Sequence, residues 1–176
     1  KMTPTEYLDS LGYFDCDGIK IAAHCVHMTD NDMDILAAKN VSAAINMSSN
    51  LKLASGVADV PKLSARGVNV SLGTDGASSN NNLNMFNEMR FTSLVCKGLM
   101  RDPEIMNAST VITMATANGA KAVRNKKTGV IAQGNLADII LINADSPSIA
   151  PVNDVACAIV YSAQASDVDT VICDGK

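Results

Sequence analysis

Ile19-Lys-Ile-Ala-Ala-His-Cys25 is the first of three apolar runs of strand length in the chain, and Val41–Asn46 and Val68–Thr74 are the others. Helical patterns separate them: Thr29 and Asp30 are typical of a helix start, and residues 57–65 form a second short amphipathic stretch. Strands that alternate with helices favour a parallel sheet with helical crossovers, covered on both faces. The sequence therefore predicts an α/β fold.

The pattern of apolar and turn-forming residues changes near residue 128. Before it, a polar loop at 47–56 and longer helices at about 83–99 and 109–123 are predicted. After it come short apolar runs between turns, which predict strands; they are Gly129–Gly134, Ala137–Asn143, Ala156–Ser162 and Thr170–Gly175. We therefore predict two modules, 1–127 and 128–176. Three strand–helix units are too few to close a barrel of eight, so the first module is expected to be part of a larger sheet.

Composition excludes several functional classes. The chain has 176 residues with 47% hydrophobic and 18% charged residues, which is typical of a globular protein. A net charge of -4, only 3% aromatic residues and no basic cluster argue against binding to nucleic acid. No apolar run approaches the length of a membrane span, so a membrane partner is not expected. Five scattered cysteines, an odd number without a C-x-x-C pair, favour the reducing cytoplasm.

His24 and Asp75 lie at the carboxyl ends of the first and third predicted strands, where parallel α/β folds carry their reactive groups. His24 could equally be a core histidine bonded to a backbone carbonyl, while His27 is expected to be structural. Asp75 could bind a metal and accept a proton from metal-bound water, or it could simply form an Asp-Gly turn with Gly76. On neighbouring strand ends, the two side chains are expected to face one cavity.

Two polar segments follow strand ends and have alternative interpretations. Residues 77–83 could contact substrate or cap the next helix, and capping is the more common use of such residues. Residues 48–53 could face substrate or form an ordinary turn. The sequence alone does not choose between these alternatives.

Taken together, these segments resemble one family, the amidohydrolases of the 5'-methylthioadenosine/S-adenosylhomocysteine deaminase type. The resemblance rests on five blocks in the correct order and spacing, and on the later strand-like runs. The five blocks are Ala22-Ala-His-Cys-Val-His27, Asn46-Met-Ser-Ser-Asn-Leu-Lys-Leu53, Leu72-Gly-Thr-Asp-Gly-Ala77, Asn80-Asn-Asn-Leu83 and Phe86-Asn-Glu-Met-Arg90.

The resemblance implies the C-terminal part of a (β/α)8 barrel, strands six to eight, plus strands of a small β-sandwich domain. It implies that Asp75 binds zinc and acts as general base, that His24 polarises the hydrolytic water, and that Ser79 contacts substrate. The implied reaction is hydrolytic deamination of an adenosine-type nucleoside, namely S-adenosylhomocysteine, 5'-methylthioadenosine or adenosine. The enzyme class is a zinc-dependent aminohydrolase that cleaves C–N bonds other than peptide bonds.

The sequence departs from the family pattern in two places. The His-x-His pair and the His-x-x-Glu that complete the family's zinc site are absent, and Ile45-Asn46-Met47 stands where His-Asn-Pro is common. We therefore expect a fragment that is inactive alone, does not retain zinc, needs a missing N-terminal half, and could form a homo-oligomer. The alternatives are a guanine deaminase or triazine chlorohydrolase type of amidohydrolase, or a metal-free interaction module.

Overall fold

The computed structural model describes residues 1–176 and confirms an α/β fold. The five strands are β1 (Ile21–Ala23), β2 (Ser42–Ile45), β3 (Val70–Leu72), β4 (Ile139–Ile142) and β5 (Val168–Ile172). The helices are α1 (Pro4–Ser10), α2 (Asp30–Ala38), α3 (Met47–Lys52), α4 (Val60–Ala65), α5 (Ala77–Asn80), α6 (Met85–Met100), α7 (Ala108–Ala115), α8 (Ala117–Ala122) and α9 (Val155–Cys157). None of the helices combines the length and apolar character needed to cross a membrane.

The first three strands form one parallel sheet in the order β1-β2-β3, as the alternating pattern predicts. The register aligns Ala22 with Ala43, and Ala43 with Val70. Parallel pairing places the carboxyl ends of all three strands at one edge of the sheet. The predicted sites at the strand ends are thereby brought together.

Burial of the sheet is uneven. In the central strand β2, Ala43 and Ile45 are fully buried, and the same core contains Val60, Leu63 and Val111 from the surrounding helices. The edge strand β1 differs, since Ile21 is 44% exposed. The prediction that the first strand is covered on both faces is therefore wrong for this chain, because Ile21 and Ala23, which share one face of β1, are both exposed.

The segment 47–56, predicted to be a loop, contains helix α3. Fully buried Met47 anchors its first turn, and such an apolar contact was not apparent in a segment rich in serine and asparagine. The predicted helix at 109–123 is divided at Thr116, whose backbone (φ -120°, ψ -88°) ends α7 and begins α8. The break lets Asn118 donate to the Val70 carbonyl at 2.8 Å, which fixes α8 to the sheet.

Beyond residue 128 the predicted strands are only partly confirmed. Strands β4 and β5 form an antiparallel pair with Ile139 opposite Ile172. The prediction of a strand at Ala156–Ser162 is wrong, because α9 continues there as a π-helix over Ala158–Ser162. Gly129–Gly134 is also not a strand, and Ile131 is almost fully exposed without a pairing partner. Two paired strands do not by themselves make a sandwich, so the β-sandwich stays a prediction. The boundary between 1–127 and 128–176 also stays a prediction.

The helical segment at 155–162 packs on α6 through polar contacts that the sequence does not reveal. Arg90 donates to the carbonyls of Val160 and Ala163, at 3.2 and 2.8 Å. The Tyr161 hydroxyl lies 2.7 Å from that of Ser93 and accepts from Lys97 at 2.9 Å. These contacts satisfy carbonyls at the end of the helix, so they favour a helix over the strand that an apolar run also permits.

Candidate active site

His24 directly follows β1 and has a left-handed backbone with φ 68°, as does Cys25 with φ 50°. Its amide donates to the Ala44 carbonyl at 2.8 Å, so the end of β1 stays tied to β2 while the chain turns. Positive φ is uncommon for residues other than glycine, and such positions cluster at functional sites. The backbone therefore agrees better with a site residue than with an ordinary core histidine.

Asp75 lies just beyond β3 and has the same unusual backbone, with φ 60°. Its Oδ2 accepts a hydrogen bond from the Ser49 hydroxyl at 2.6 Å, and its Oδ1 accepts from the Gly76 amide at 2.8 Å. These donors, Ser49 first, together with the nearby Ser79 hydroxyl, lower the pKa of Asp75 to about 2 because they stabilise the carboxylate. Asp75 is therefore ionised at neutral pH.

His24 and Asp75 face each other across the carboxyl edge of the sheet. The distance from His24 Nε2 to Asp75 Oδ2 is 3.9 Å, and the side chains are 42% and 31% exposed. The predicted proximity is confirmed, while the catalytic roles stay predictions. The separation exceeds a hydrogen bond, so a water molecule or substrate group between the two side chains is within reach of both.

The imidazole of His24 is held from behind by two asparagines. Asn50 Oδ1 lies 2.8 Å from Nδ1, and Asn46 Nδ2 lies 3.4 Å from the same nitrogen while donating to the Ala44 carbonyl. These contacts fix the orientation of the ring, so that its Nε2 faces Asp75.

Sequence reasoning missed the roles of Ser49 and Asn50, because it did not predict helix α3. The helix places Ser49 on Asp75 and Asn50 on His24, and both residues are almost completely buried. A usable signal was present, since Asn46 and Asn50 are four residues apart and side chains at that spacing share a face. Of the two alternatives for residues 48–53, the ordinary turn is wrong.

Ser79 lies in α5, and its hydroxyl donates to the Gly76 carbonyl at 3.0 Å. It lies near Asp75, and its contact with substrate, which the resemblance implies, stays a prediction. The alternative that residues 77–83 cap the next helix is wrong. The cap of α6 comes from Asn84, whose Oδ1 accepts from the Phe86 amide at 2.9 Å. His27, expected to be structural, is an exposed side chain between β1 and α2.

The chain by itself does not offer a zinc site. No group of three or more histidine, cysteine, aspartate or glutamate side chains lies close enough to hold a metal ion. Asp75 and His24 supply at most two donors, whereas catalytic zinc takes three protein ligands and an open position. The side chains of His24 and Asp75 are partly exposed, so the site is open on this chain. The residues present do not fit the complete zinc site of the family.

Comparisons with known proteins cover the whole chain. The model of the amidohydrolase family matches residues 1–176. The 5-methylthioadenosine/S-adenosylhomocysteine deaminase of Acetivibrio thermocellus is 52% identical over 176 residues, 99% of this chain and 40% of the relative. The 5'-deoxyadenosine deaminase of Methanothermobacter thermautotrophicus is 51% identical over 175 residues, again 99% of this chain and 40% of the relative. The chain thus spans about 40% of the length of these curated relatives.

Solved structures agree with the sequence comparisons. The crystal structure of an adenosine deaminase from Xanthomonas campestris with bound zinc has a TM-score of 0.92 at 32% identity, covering 99% of this chain and 40% of that one. The atrazine chlorohydrolase of Arthrobacter aurescens, with zinc, and the guanine deaminase of E. coli have TM-scores of 0.90 and 0.83. Both are only 23% identical to this chain, so they show a common fold alone.

Proposed function

The chain belongs to the amidohydrolase family, and we propose that it supplies one side of the active site of a deaminase acting on adenosine-type nucleosides. The substrate class follows from relatives about half identical to this chain, which are named as deaminases of 5'-methylthioadenosine, S-adenosylhomocysteine and 5'-deoxyadenosine. The reaction is hydrolytic: water adds to C6 of the adenine ring, the C6–N bond breaks, ammonia leaves, and an inosine-type product remains.

The observation that carries this proposal is the pairing of Asp75 with His24. Asp75 is ionised and aligned by Ser49, and Nε2 of His24 faces the same space at 3.9 Å from Asp75 Oδ2. In this arrangement Asp75 accepts a proton from the attacking water and returns it to the departing amine, while His24 orients the water. Ser79, beside Asp75, is placed to contact the substrate.

Asp75 acting alone would be a poor base. A carboxylate with a pKa of about 2 removes a proton efficiently only from a water that is more acidic than bulk water. Zinc provides that chemistry in metallohydrolases, and the related adenosine deaminase contains it. We propose that Asp75 is this chain's contribution to a zinc site whose histidine ligands belong to the rest of the parent protein.

The open sheet supports the same proposal. Strands β1 and β3 each have one edge without a partner, and these edges correspond to the two sides on which barrel strands six to eight would meet the remaining strands. We propose that residues 1–127 are this part of a (β/α)8 barrel, and that β4 and β5 in residues 128–176 complete a small sandwich domain. The partner of the chain is then the missing half of the barrel.

The decisive experiment is ammonia release by the complete protein. Adenosine, S-adenosylhomocysteine, 5'-methylthioadenosine and 5'-deoxyadenosine are offered separately, with guanine and a chlorinated triazine as competing substrate classes. Release from any of the adenosine-type nucleosides supports the proposal. Turnover of guanine or triazine alone would favour those amidohydrolase types, and inactivity towards every compound would favour an interaction module.

A further inference from the structure

Glu88, in α6, is a buried carboxyl that the proposed reaction does not use. Its exposure is 0%, and no lysine, arginine or histidine lies within ion-pair distance. Burial of a carboxyl is costly unless its oxygens are hydrogen-bonded. Both oxygens of Glu88 accept hydrogen bonds, and both donors belong to segments that form the candidate active site.

The first donor is the backbone amide of Ser48, 3.1 Å from Glu88 Oε2. This amide lies in the first turn of α3, where backbone N–H groups have no partner within the helix. Asn46, which precedes the helix, does not cap it, because its side chain is directed to His24 and the Ala44 carbonyl. Glu88 therefore supplies, from a different helix, the cap of the helix that carries Ser49 and Asn50.

The second donor is the side-chain amide of Asn80, 2.8 Å from Glu88 Oε1. Asn80 is itself buried, and the same nitrogen donates to the Thr74 carbonyl at 2.6 Å. Thr74 directly precedes Asp75, and Asn80 ends the short helix α5. This contact therefore closes the turn that contains Asp75 and fixes it to Glu88.

We propose that Glu88 is a positioning residue that sets the separation of His24 and Asp75. One carboxyl holds the α3 segment, which orients His24 through Asn50, and the segment 74–80, which carries Asp75. Glu88 touches neither reacting atom, so its effect on catalysis passes through these two segments. The catalytic part of this inference rests on the proposed deaminase function. The structural part rests only on the hydrogen bonds that Glu88 makes.

The matched variants are Glu88→Gln and Thr92→Val. Glutamine keeps the shape of glutamate but replaces one acceptor by an NH2 group, which must then face a donor at Ser48 or Asn80. Thr92 lies one turn further along α6, is equally buried, and has a hydroxyl without a partner, so valine removes no contact with the site. Thr92→Val therefore controls for a general disturbance of this helix.

Two measurements on this chain test the geometry. We expect Glu88→Gln to increase hydrogen exchange of the Ser48 amide roughly tenfold or more, because a buried hydrogen bond is lost. We also expect the imidazole 15N shifts of His24 to change, because Asn50, which contacts Nδ1, is no longer held in place. Thr92→Val should leave both signals at wild-type values. Unchanged signals in Glu88→Gln, or equal changes in Thr92→Val, overturn the inference.

The catalytic consequence is measured in the complete enzyme. We expect Glu88→Gln to lower kcat about tenfold while KM changes less than twofold, because misplacing the reacting groups costs rate more than binding. An unchanged kcat overturns the inference. Complete inactivity of the wild-type enzyme would refute the proposed function instead, and the measurements on this chain would still decide the role of Glu88. If Glu88→Gln does not fold, Asn80→Ala, which removes the bonds to Glu88 Oε1 and to the Thr74 carbonyl, replaces it in the kinetic measurement, with the same expected fall in kcat.

Discussion

At the scale of single residues, the site depends on a close approach between backbone and side chain at Gly73. A methyl group on Gly73 would lie 2.6 Å from Asn46 Oδ1, which is closer than packed atoms can come. Asn46 is buried and its amide bonds the Ala44 carbonyl, so it cannot move without losing that contact. Glycine is therefore needed at position 73 to keep Asn46 against His24.

We expect Gly73→Ala to reduce the free energy of unfolding by about 1–3 kcal/mol, because Asn46 must be displaced. Gly98→Ala is the control, since Gly98 lies in α6 with open space where the methyl group would go. That variant should be stabilised by about 0.5–1 kcal/mol. Denaturant unfolding measures both, and a Gly73→Ala protein as stable as wild type would refute the packing argument.

A second residue-scale prediction concerns Asp75. In the complete enzyme, Asp75→Asn should lower kcat by roughly 10²–10⁴, because the amide cannot accept and return a proton. Steady-state kinetics of ammonia release give the value, and Asp145→Asn, at an exposed carboxyl, serves as control. Activity of Asp75→Asn within tenfold of wild type would exclude the proposed role.

The residue scale also shows what sequence can and cannot predict. His24 and Asp75 were predictable because each directly follows an apolar run, and parallel strands bring such positions to one edge. Asn50 and Glu88 were not, because their roles depend on tertiary contacts across 26 and 40 positions of sequence. The sequence alone does not show whether a polar side chain is buried, because its partners lie far away along the chain.

At the scale of elements, the secondary structure of segment 155–162 was the hardest to predict. Its apolar run is compatible with both a strand and a buried helix. The helix is favoured by contacts with α6, in which Arg90 donates to the Val160 and Ala163 carbonyls and Ser93 contacts the Tyr161 hydroxyl. The parallel strands were easier, because their order follows from the alternation with helices. Each of them is nevertheless shorter than its apolar run at both ends.

Asp167 stabilises the connection between α9 and β5. The contribution of Asp167 to the free energy of unfolding should depend on pH. The hydroxyls of Ser146 and Ser148 and the Gln164 amide donate to this carboxylate at 2.6–2.7 Å, and they lower its pKa below the ordinary value of 3.8. A group whose pKa falls on folding stabilises the protein fully above the unfolded value. That stabilisation is lost as the pH falls below 3.8 towards the folded pKa.

We therefore expect Asp167→Asn to be less stable than wild type at pH 7, and the difference to shrink as the pH falls through 3.8. Urea unfolding between pH 2 and 7 measures it. Asp169→Asn, two residues further along at an exposed position, should show no comparable pH-dependent difference. A difference for Asp167→Asn that stays constant with pH would contradict this explanation.

At the scale of the whole molecule, the chain has unpaired sheet edges with apolar side chains beside them. Ile19 and Ile21 are 55% and 44% exposed at the β1 edge. Such edges tend to pair with other chains unless they are covered or charged. The family resemblance made this predictable from sequence, since three strands are fewer than a closed barrel requires.

The isolated chain should therefore self-associate. Light scattering after gel filtration at increasing concentration should give a mass above 18.4 kDa, and Ile21→Lys should shift the protein towards the monomer. Leu99→Lys, at an exposed position on α6 away from the sheet edge, is the control. A wild-type chain that stays monodisperse and monomeric would contradict the open-edge interpretation.

Above all, we propose that Asp75 and His24 form one side of a zinc-dependent deaminase site that this chain does not complete. Zinc content per chain, measured by elemental mass spectrometry after gel filtration, tests it most directly. We predict essentially no zinc in the 176-residue chain, about one zinc per molecule in the complete protein, and a clear loss of zinc there in Asp75→Asn. Stoichiometric zinc in the chain alone, or a complete protein without zinc, would contradict the claim.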